Sequence, residues 1–474
     1  MTRQMTHRTE FDPAVPVRPC FTGKLFTAAG HEYFWNSAAG EASQISPATR
    51  DAISVCGNAH GGVDLARANS DAPDLRPHIA NPYSDAMIAP ALHSQLRMLV
   101  LEMTQNCNLA CSYCIDGDAY GQKNCLGHRN LGASDAFAAV DMLARDAQGH
   151  DKPLILSFYG GEPLLRFGLL RQIVTYARAV AGARGVVFSI TTNGTLLSDH
   201  VVDYLVSEGF NLIVSLDGPR AVHDRFRLTK KGAPTHDRII AALDRIKQRH
   251  PEFAANNMRL SIVVMPNADL AGLQAFFDEM AMPVLANFVE SYGLDGIEAR
   301  GKGQPGLADL AAGLRSRIRA YRDTTGDSYL DSKASACDFA ANLLRSTLEK
   351  MSRKGGSCGN QSLGQCLLGT SRLYVASDGA MYPCEKLAGH SVARIGDADT
   401  GLDTGKIART IDAFYDMAAQ KCDGCWMATR CSMCLALVAS GDTISEEKFD
   451  HYCAGMKAAG AFSLRFNAEL GAVE

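Results

Sequence analysis

The chain of 474 residues has no apolar run that approaches a membrane span, which takes about 20 consecutive apolar residues. It also lacks an excess of charge of one sign. The formal net charge of −4 gives no electrostatic reason to expect nucleic acid or an anionic membrane as partner. The first residues, MTRQMTHRTEFDPAVPVRP, are polar and without the apolar core of a secretory signal. We therefore expect a cytoplasmic chain with a loose start. One further absence is more telling. Of 15 cysteines, none falls between Cys125 and Cys337. In a reducing compartment a disulfide framework is not expected, and clustered thiols are better explained by metal ligation. At this length and with 46% hydrophobic residues, two or three globular domains are expected.

The first cysteine field lies in LVLEMTQNCNLACSYCIDG, from Leu99 to Gly117. Cys107, Cys111 and Cys114 stand in a C-x3-C-x2-C spacing directly after an apolar run that reads as a strand. Such a short loop turns three thiolates toward one point. Three are one fewer than a cubane iron–sulfur cluster takes, which leaves one iron open to a ligand. A zinc loop or three unrelated buried thiols are the plain alternatives. A second apolar strand, Leu154–Tyr159, runs into Gly160-Gly161-Glu162-Pro163. Glycines let a ligand amine approach backbone carbonyls, and Glu162 can accept from the same amine.

These features together resemble the radical S-adenosylmethionine (SAM) superfamily, whose cysteine loop carries an aromatic just before its third cysteine, here Tyr113. The resemblance implies a [4Fe–4S] cluster on Cys107, Cys111 and Cys114 whose open iron is chelated by SAM. It also implies reductive cleavage to a 5′-deoxyadenosyl radical that abstracts hydrogen. The implied fold is an α/β partial (β/α)6 TIM-like barrel with the cofactor at the C-terminal ends of the strands.

The hydrophobic pattern agrees with that fold. Near-continuous apolar runs at Leu96–Met103, Leu154–Tyr159, Val186–Thr191, Leu212–Leu216, Leu260–Met265 and Val284–Val289 read as buried parallel strands. Helical periodicity fills the gaps at Ala133–Arg145, Leu169–Ala181, Ser198–Ser207, Asp237–Arg249 and Leu270–Met280. The cysteine loop, GGEP, Thr192-Asn193-Gly194 and Asp217-Gly218-Pro219 all follow strand ends, where such folds bind ligands. Ser215 is placed to meet a ribose. Thr192 and Asn193 either face the cofactor or serve only the Asn-Gly turn. Asp217 either faces the site or only shapes its loop. Arg227 resembles in position the arginine that pairs with the SAM carboxylate in related maturases, a task suited to a bidentate guanidinium. Asp237 is a candidate acid or base that opens a helix, where Asp commonly caps or complements the dipole.

The region before this core, residues 1–95, reads as a small α+β module. It has a strand around Glu32–Trp35 and a helix opened by Ser46-Pro47, and Gly61–Pro90 reads as irregular. It either binds the peptide to be modified, as in similar enzymes, or only packs. Cys20 and Cys56 have no ligand spacing. The core is expected over 96–300. A bridge over 301–357 contains helices Ala311–Arg322 and Ser335–Ser352, with Cys337 on the second.

Residues 358–474 hold the second cysteine field: Cys358, Cys366, Cys384, then C-x2-C-x5-C-x2-C over Cys422, Cys425, Cys431 and Cys434, and Cys453. The pattern resembles the SPASM domain of radical SAM peptide maturases, one residue short of its usual C-x3-C ending. That resemblance implies two auxiliary [4Fe–4S] clusters, three in all. One would take Cys366, Cys384, Cys434 and either Cys358 or Cys337. The other would take Cys422, Cys425, Cys431 and Cys453. Zinc knuckles are the alternative reading of the C-x2-C pairs. Glu385 falls where sulfatase-activating relatives carry a catalytic carboxylate, and is a candidate base or a plain strand-end residue.

The resemblance implies a substrate that is a peptide or a small cysteine-rich protein. The nearest fit is to maturases that join Cys sulfur to Asp or Glu methylene carbons in the small subunit of a quinohemoprotein amine dehydrogenase. A flavodoxin- or ferredoxin-type electron donor is implied as well. The rivals are an anaerobic sulfatase maturase that forms formylglycine, another SPASM peptide cyclase, and a non-catalytic iron–sulfur carrier or scaffold.

Overall fold

The structure, a computed structural model, describes residues 22–36, 41–54, 62–64, 79–114, 128–147, 151–288, 305–352, 363 and 366–471. Cys20, Cys56, Cys125 and Cys358 lie outside the described residues, as does the glycine-rich stretch 294–304. Four short strands form an N-terminal antiparallel sheet: β1 (Thr22–Ala28), β2 (His31–Asn36), β3 (Glu41–Gln44) and β4 (Val63–Asp64), in the order β3-β2-β1-β4. The β1–β2 hairpin turns through Ala29 and Gly30, both at positive φ, the geometry that matches strand twist in a two-residue turn. Helix Pro47–Ser54 follows as expected, its first turn capped by Ser46 Oγ, which accepts from Thr49 N at 3.1 Å.

The irregular reading of Gly61–Pro90 is corrected at its end. Asp85–Gln95 is a helix with Pro90 inside it. Pro90 disfavours a helix interior, but Ile88 and Leu92 bury one face, and the helix packs on Thr404–Cys422. Tertiary burial outweighs the proline here.

Six parallel strands follow in chain order: β5 (Met98–Glu102), β6 (Leu154–Tyr159), β7 (Val186–Thr192), β8 (Asn211–Ser215), β9 (Met258–Val264) and β10 (Val284–Phe288). Helices between them bury one stripe each, such as Ala136, Ala139, Val140 and Leu143 on Ala133–Asp146. Leu99, Leu101, Leu156, Phe158, Ile190 and Leu212 are wholly buried in the sheet. The bridge helices are Leu307–Thr325 and Phe339–Ser352, preceded by a short turn Lys333–Cys337.

The sheet does not end at β5. Strand β11 (Leu373–Val375) pairs with β5 in parallel, and β12 (Ala380–Tyr382), β13 (Gly396–Asp397) and β14 (Gly401–Leu402) continue it antiparallel. The hairpin over YVASDGAMYPCEKL thus belongs to one mixed sheet of ten strands. Buried Glu102, at the end of β5, accepts from Ser377 N at 2.7 Å and ties the hairpin turn to the core strand. No helix among the described residues is long and apolar enough to cross a membrane.

Candidate functional site

Four segments leave the same edge of the sheet: the cysteine loop after β5, Gly160–Glu162 after β6, Thr192–Thr195 after β7 and Asp217 after β8. Their side chains interlock. Gly161 N donates to Thr104 O at 2.8 Å and Glu162 N to Asn106 O at 2.9 Å, so the β6 end is stitched to the backbone entering the cysteine loop. A Cβ on Gly160 would meet Thr104 O, and one on Gly161 would meet Asn106 O. The glycines therefore admit the neighbouring loop, where the sequence suggested room for a ligand amine. Gly160, at φ +111, also needs glycine for its backbone.

Glu162 is likewise committed to protein. It is fully buried, and its carboxylate accepts from Leu164 N (3.0 Å), Thr192 Oγ1 (2.7 Å) and Asn193 N (2.8 Å). Burial nonetheless raises its pKa to about 7. Thr192 and Asn193 are held in turn. Asn193 Oδ1 accepts from Thr195 N and Oγ1, and its Nδ2 donates to Asn108 Oδ1 at 2.9 Å and points at Cys107 Sγ, 3.8 Å away. Cys107 Sγ also faces Leu109 N at 3.4 Å. Ser215 is buried at the end of β8.

On the far side of the loop, Asp217 is almost wholly buried. Its Oδ2 accepts from Arg227 Nε at 2.8 Å and from the Tyr113 hydroxyl, and its Oδ1 accepts from Val263 N at 3.1 Å. Arg227 stacks over the Tyr113 ring at 5.2 Å and points Nη1 at Cys111 Sγ, 3.9 Å away. The guanidinium expected for a cofactor carboxylate thus already holds a protein carboxylate through Nε.

Sequence reasoning missed His223 and Thr235. Asp217 N donates to His223 Nδ1 at 3.3 Å, and His223 Nε2 meets Thr235 Oγ1, whose hydroxyl donates to Arg227 O. These partners fit a neutral imidazole with its proton on Nε2. Burial agrees, lowering the His223 pKa to about 4. The available signal was HDRFR, which places His223 one helical turn before Arg227.

Asp237 lies in the first turn of its helix, as expected. Its side chain is exposed and pairs with Arg220 and His236 on the surface. The start of its helix is capped by Asp224, whose Oδ1 accepts from Thr235 N (2.8 Å) and His236 N (2.9 Å). Glu385 is engaged by Arg372, 2.8 Å away, and the same arginine reaches Cys384.

The C-terminal thiols influence one another's titration in two sets. Cys384 feels the charge of Cys434, and Cys366 that of Cys384. Cys434 in turn feels Cys366. Cys422 feels Cys431, Cys425 and Cys453. Cys337, at the end of Lys333–Cys337, is raised by burial alone. Burial pushes Cys107 and Cys384 up to about 11, so these thiols carry protons until a bound cation displaces them. Among the described residues, no three His, Cys, Asp or Glu converge as a single-ion site requires. The donor chemistry fits clusters, since thiolate-only sets directed at by N–H groups are their usual setting.

Residues 101–279, which contain this edge of the sheet, match the model of the Radical SAM superfamily. The stretch built on β5 to β9 is therefore similar to the radical SAM superfamily. Among curated relatives, an uncharacterized protein of Methanocaldococcus jannaschii is 29% identical over 140 residues, 30% of this chain and 45% of that protein. The radical SAM cyclopropyl synthase TigE of Paramaledivibacter caminithermalis is 23% identical over 171 residues, 35% of each chain. The chain thus spans less than half the length of these two. A cysteine-type anaerobic sulfatase-maturating enzyme of Clostridium perfringens is 24% identical over 295 residues, 61% of this chain and 74% of that enzyme. The structure of native anSMEcpe with bound AdoMet and a Cp18Cys peptide superposes with a TM-score of 0.54 at 20% identity. It covers 80% of this chain and 100% of that one, and shares the fold.

Proposed function

We propose that the chain is a radical SAM enzyme that modifies a peptide or small protein. Three [4Fe–4S] clusters are assigned: one on Cys107, Cys111 and Cys114, and two auxiliary clusters in a SPASM domain over 358–474. The reading that completes this assignment gives Cys358 to the set of Cys366, Cys384 and Cys434, with Cys337 as its alternative. It gives Cys422, Cys425, Cys431 and Cys453 to the other. The observation that carries the proposal is the cysteine triplet at the C-terminal edge of the sheet, gripped from β6 by Gly161 and Glu162. When bound, the first cluster and SAM supply a hydrogen-abstracting 5′-deoxyadenosyl radical.

The chain's own residues hold that centre. Glu162 organises Thr192 and Asn193, and Asn193 directs its amide at Cys107. Ser215 and the outer guanidinium edge of Arg227 are the groups left to meet the ribose and carboxylate of SAM. The four-stranded sheet before residue 95 would receive the peptide. The domain limits read from the sequence, 1–95, 96–300, 301–357 and 358–474, go with this proposal, as does a cytoplasmic location with a flavodoxin- or ferredoxin-type donor.

For the reaction we favour a Cys sulfur-to-carbon thioether link to Asp or Glu, as in QhpD-type maturases. The observation favouring it over formylglycine formation is the pairing of Glu385 with Arg372, which occupies the carboxylate that would serve as base. The sulfatase maturases among the relatives keep the second reading in play. The test is anaerobic reconstitution with SAM, reductant and candidate peptides, followed by mass spectrometry. Triplet-dependent 5′-deoxyadenosine with a peptide that loses two hydrogens and keeps its sulfur supports the crosslink. Conversion of a sulfatase Cys to an aldehyde with loss of sulfur replaces it. No 5′-deoxyadenosine from an iron-replete preparation sinks both.

A further inference from the structure

The pair Asp217–Arg227 is the least exposed ion pair in the candidate site, and it touches the cysteine loop directly. We propose that Asp217 is a positioning residue that fixes the Arg227 guanidinium at the Cys111 sulfur, and that the pair sets the reduction potential of a cluster held there. The inference rests on the cluster reading above.

The geometry is over-determined. Asp217 is fastened by Val263 N from β9 and by Tyr113 from the cysteine loop, besides Arg227 itself. Arg227 lies over the Tyr113 ring, so its plane cannot swing without moving the residue before Cys114. His223 and Thr235 close the segment between the two partners, gripping Asp217 N at one end and Arg227 O at the other. The outcome is a cation with one N–H aimed at one sulfur, and an anion directly behind it. Buried ion pairs add little net stability, whereas the potential of an iron–sulfur cluster responds to net local charge and to hydrogen bonds on its sulfurs.

The two partners should therefore act with opposite sign. Arg227→Gln removes the guanidinium charge beside the cluster and leaves the Asp217 carboxyl group behind it. An added electron is then disfavoured and the potential falls. Asp217→Asn leaves the guanidinium unneutralised, and the potential rises. The double variant, neutral like the pair it replaces, returns near wild type.

The experiment is a potentiometric titration of the full-length, anaerobically reconstituted protein without SAM, read by electron paramagnetic resonance. The relevant signal is the one missing from Cys107→Ala/Cys111→Ala/Cys114→Ala. Opposite shifts that cancel in the double variant are expected. Shifts of the same sign, or none, overturn the inference while leaving the cluster in place. A triplet variant that loses no signal overturns the underlying reading instead. Should the single variants fail to fold, Arg227→Lys keeps the charge and loses the directed N–H. A lowered potential is then expected, and an unchanged one overturns the proposal.

Discussion

A methyl group on Gly161 would fall on the carbonyl oxygen of Asn106, a backbone atom that cannot rotate away. Gly161→Ala should cost about 1–3 kcal/mol as an overpacked site, read as a lower urea midpoint, and should lower the iron bound per chain. His223 makes a second prediction with a definite sign. Its pKa is lowered from 6.5 to about 4 in the folded protein, so the unfolded chain takes up the proton first. The stability that His223 contributes is complete above pH 6.5 and is lost as the pH falls from 6.5 toward 4. Between pH 7 and pH 5, wild type should lose on the order of 1–2 kcal/mol more than His223→Asn. Equal losses in urea titrations would show that the imidazole is not buried neutral. The positions of Cys107, Gly160 and Asn193 just past strand ends were legible from hydrophobic runs and spacing, and Arg227, at the end of helix Arg220–Phe226, from the resemblance. Their partners were not. Glu162 bonds Thr192 and Asn193 from another loop, and Asp217 bonds Tyr113 and Val263 from two others, so only three-dimensional closure brings those atoms together.

The strands and helices of the core were legible because each is amphipathic or wholly apolar over its length. Leu154–Tyr159 and Leu270–Met280 run as read, and the expected first strand shortens to Met98–Glu102 because Leu96 caps the preceding helix. That preceding helix was hidden by Pro90, and the pairing of β11 with β5 by the length of chain between them. Two element-level outcomes can be measured. Ser46→Ala should cost about 0.5–2 kcal/mol, with faster hydrogen exchange confined to Pro47–Ser54. In the segment from Cys431 to Cys434, neighbours in sequence face different thiol sets. Cys431→Ala and Cys434→Ala should thus abolish different iron–sulfur signals, and loss of one common signal would contradict the grouping.

Both tryptophans of the chain sit where the N-terminal sheet meets the cysteine-rich segment. Arg430 lies over Trp35 at 5.9 Å and Lys24 over Trp426 at 5.7 Å, with both rings buried. Trp426 follows Cys425 directly. Iron loading should therefore quench the intrinsic emission strongly, and Cys422→Ala/Cys425→Ala should restore much of it. This contact between distant parts of the chain carried no local signature, because β1 and β2 look like any small hairpin until their partner is known. The union of β5 with β11 is similar, and it bears on how the protein is made. The edge of β5 that faces away from β6 is paired only when Leu373 arrives. With roughly 270 residues between them, translation at ~5–20 residues per second leaves that apolar edge open for about 14–55 s. A nascent chain in that interval presents Leu99, Val100 and Leu101 along an unpaired edge, the template on which strands of other chains add. Slower translation past residue 102 should then raise the insoluble fraction, and a holding chaperone should lower it.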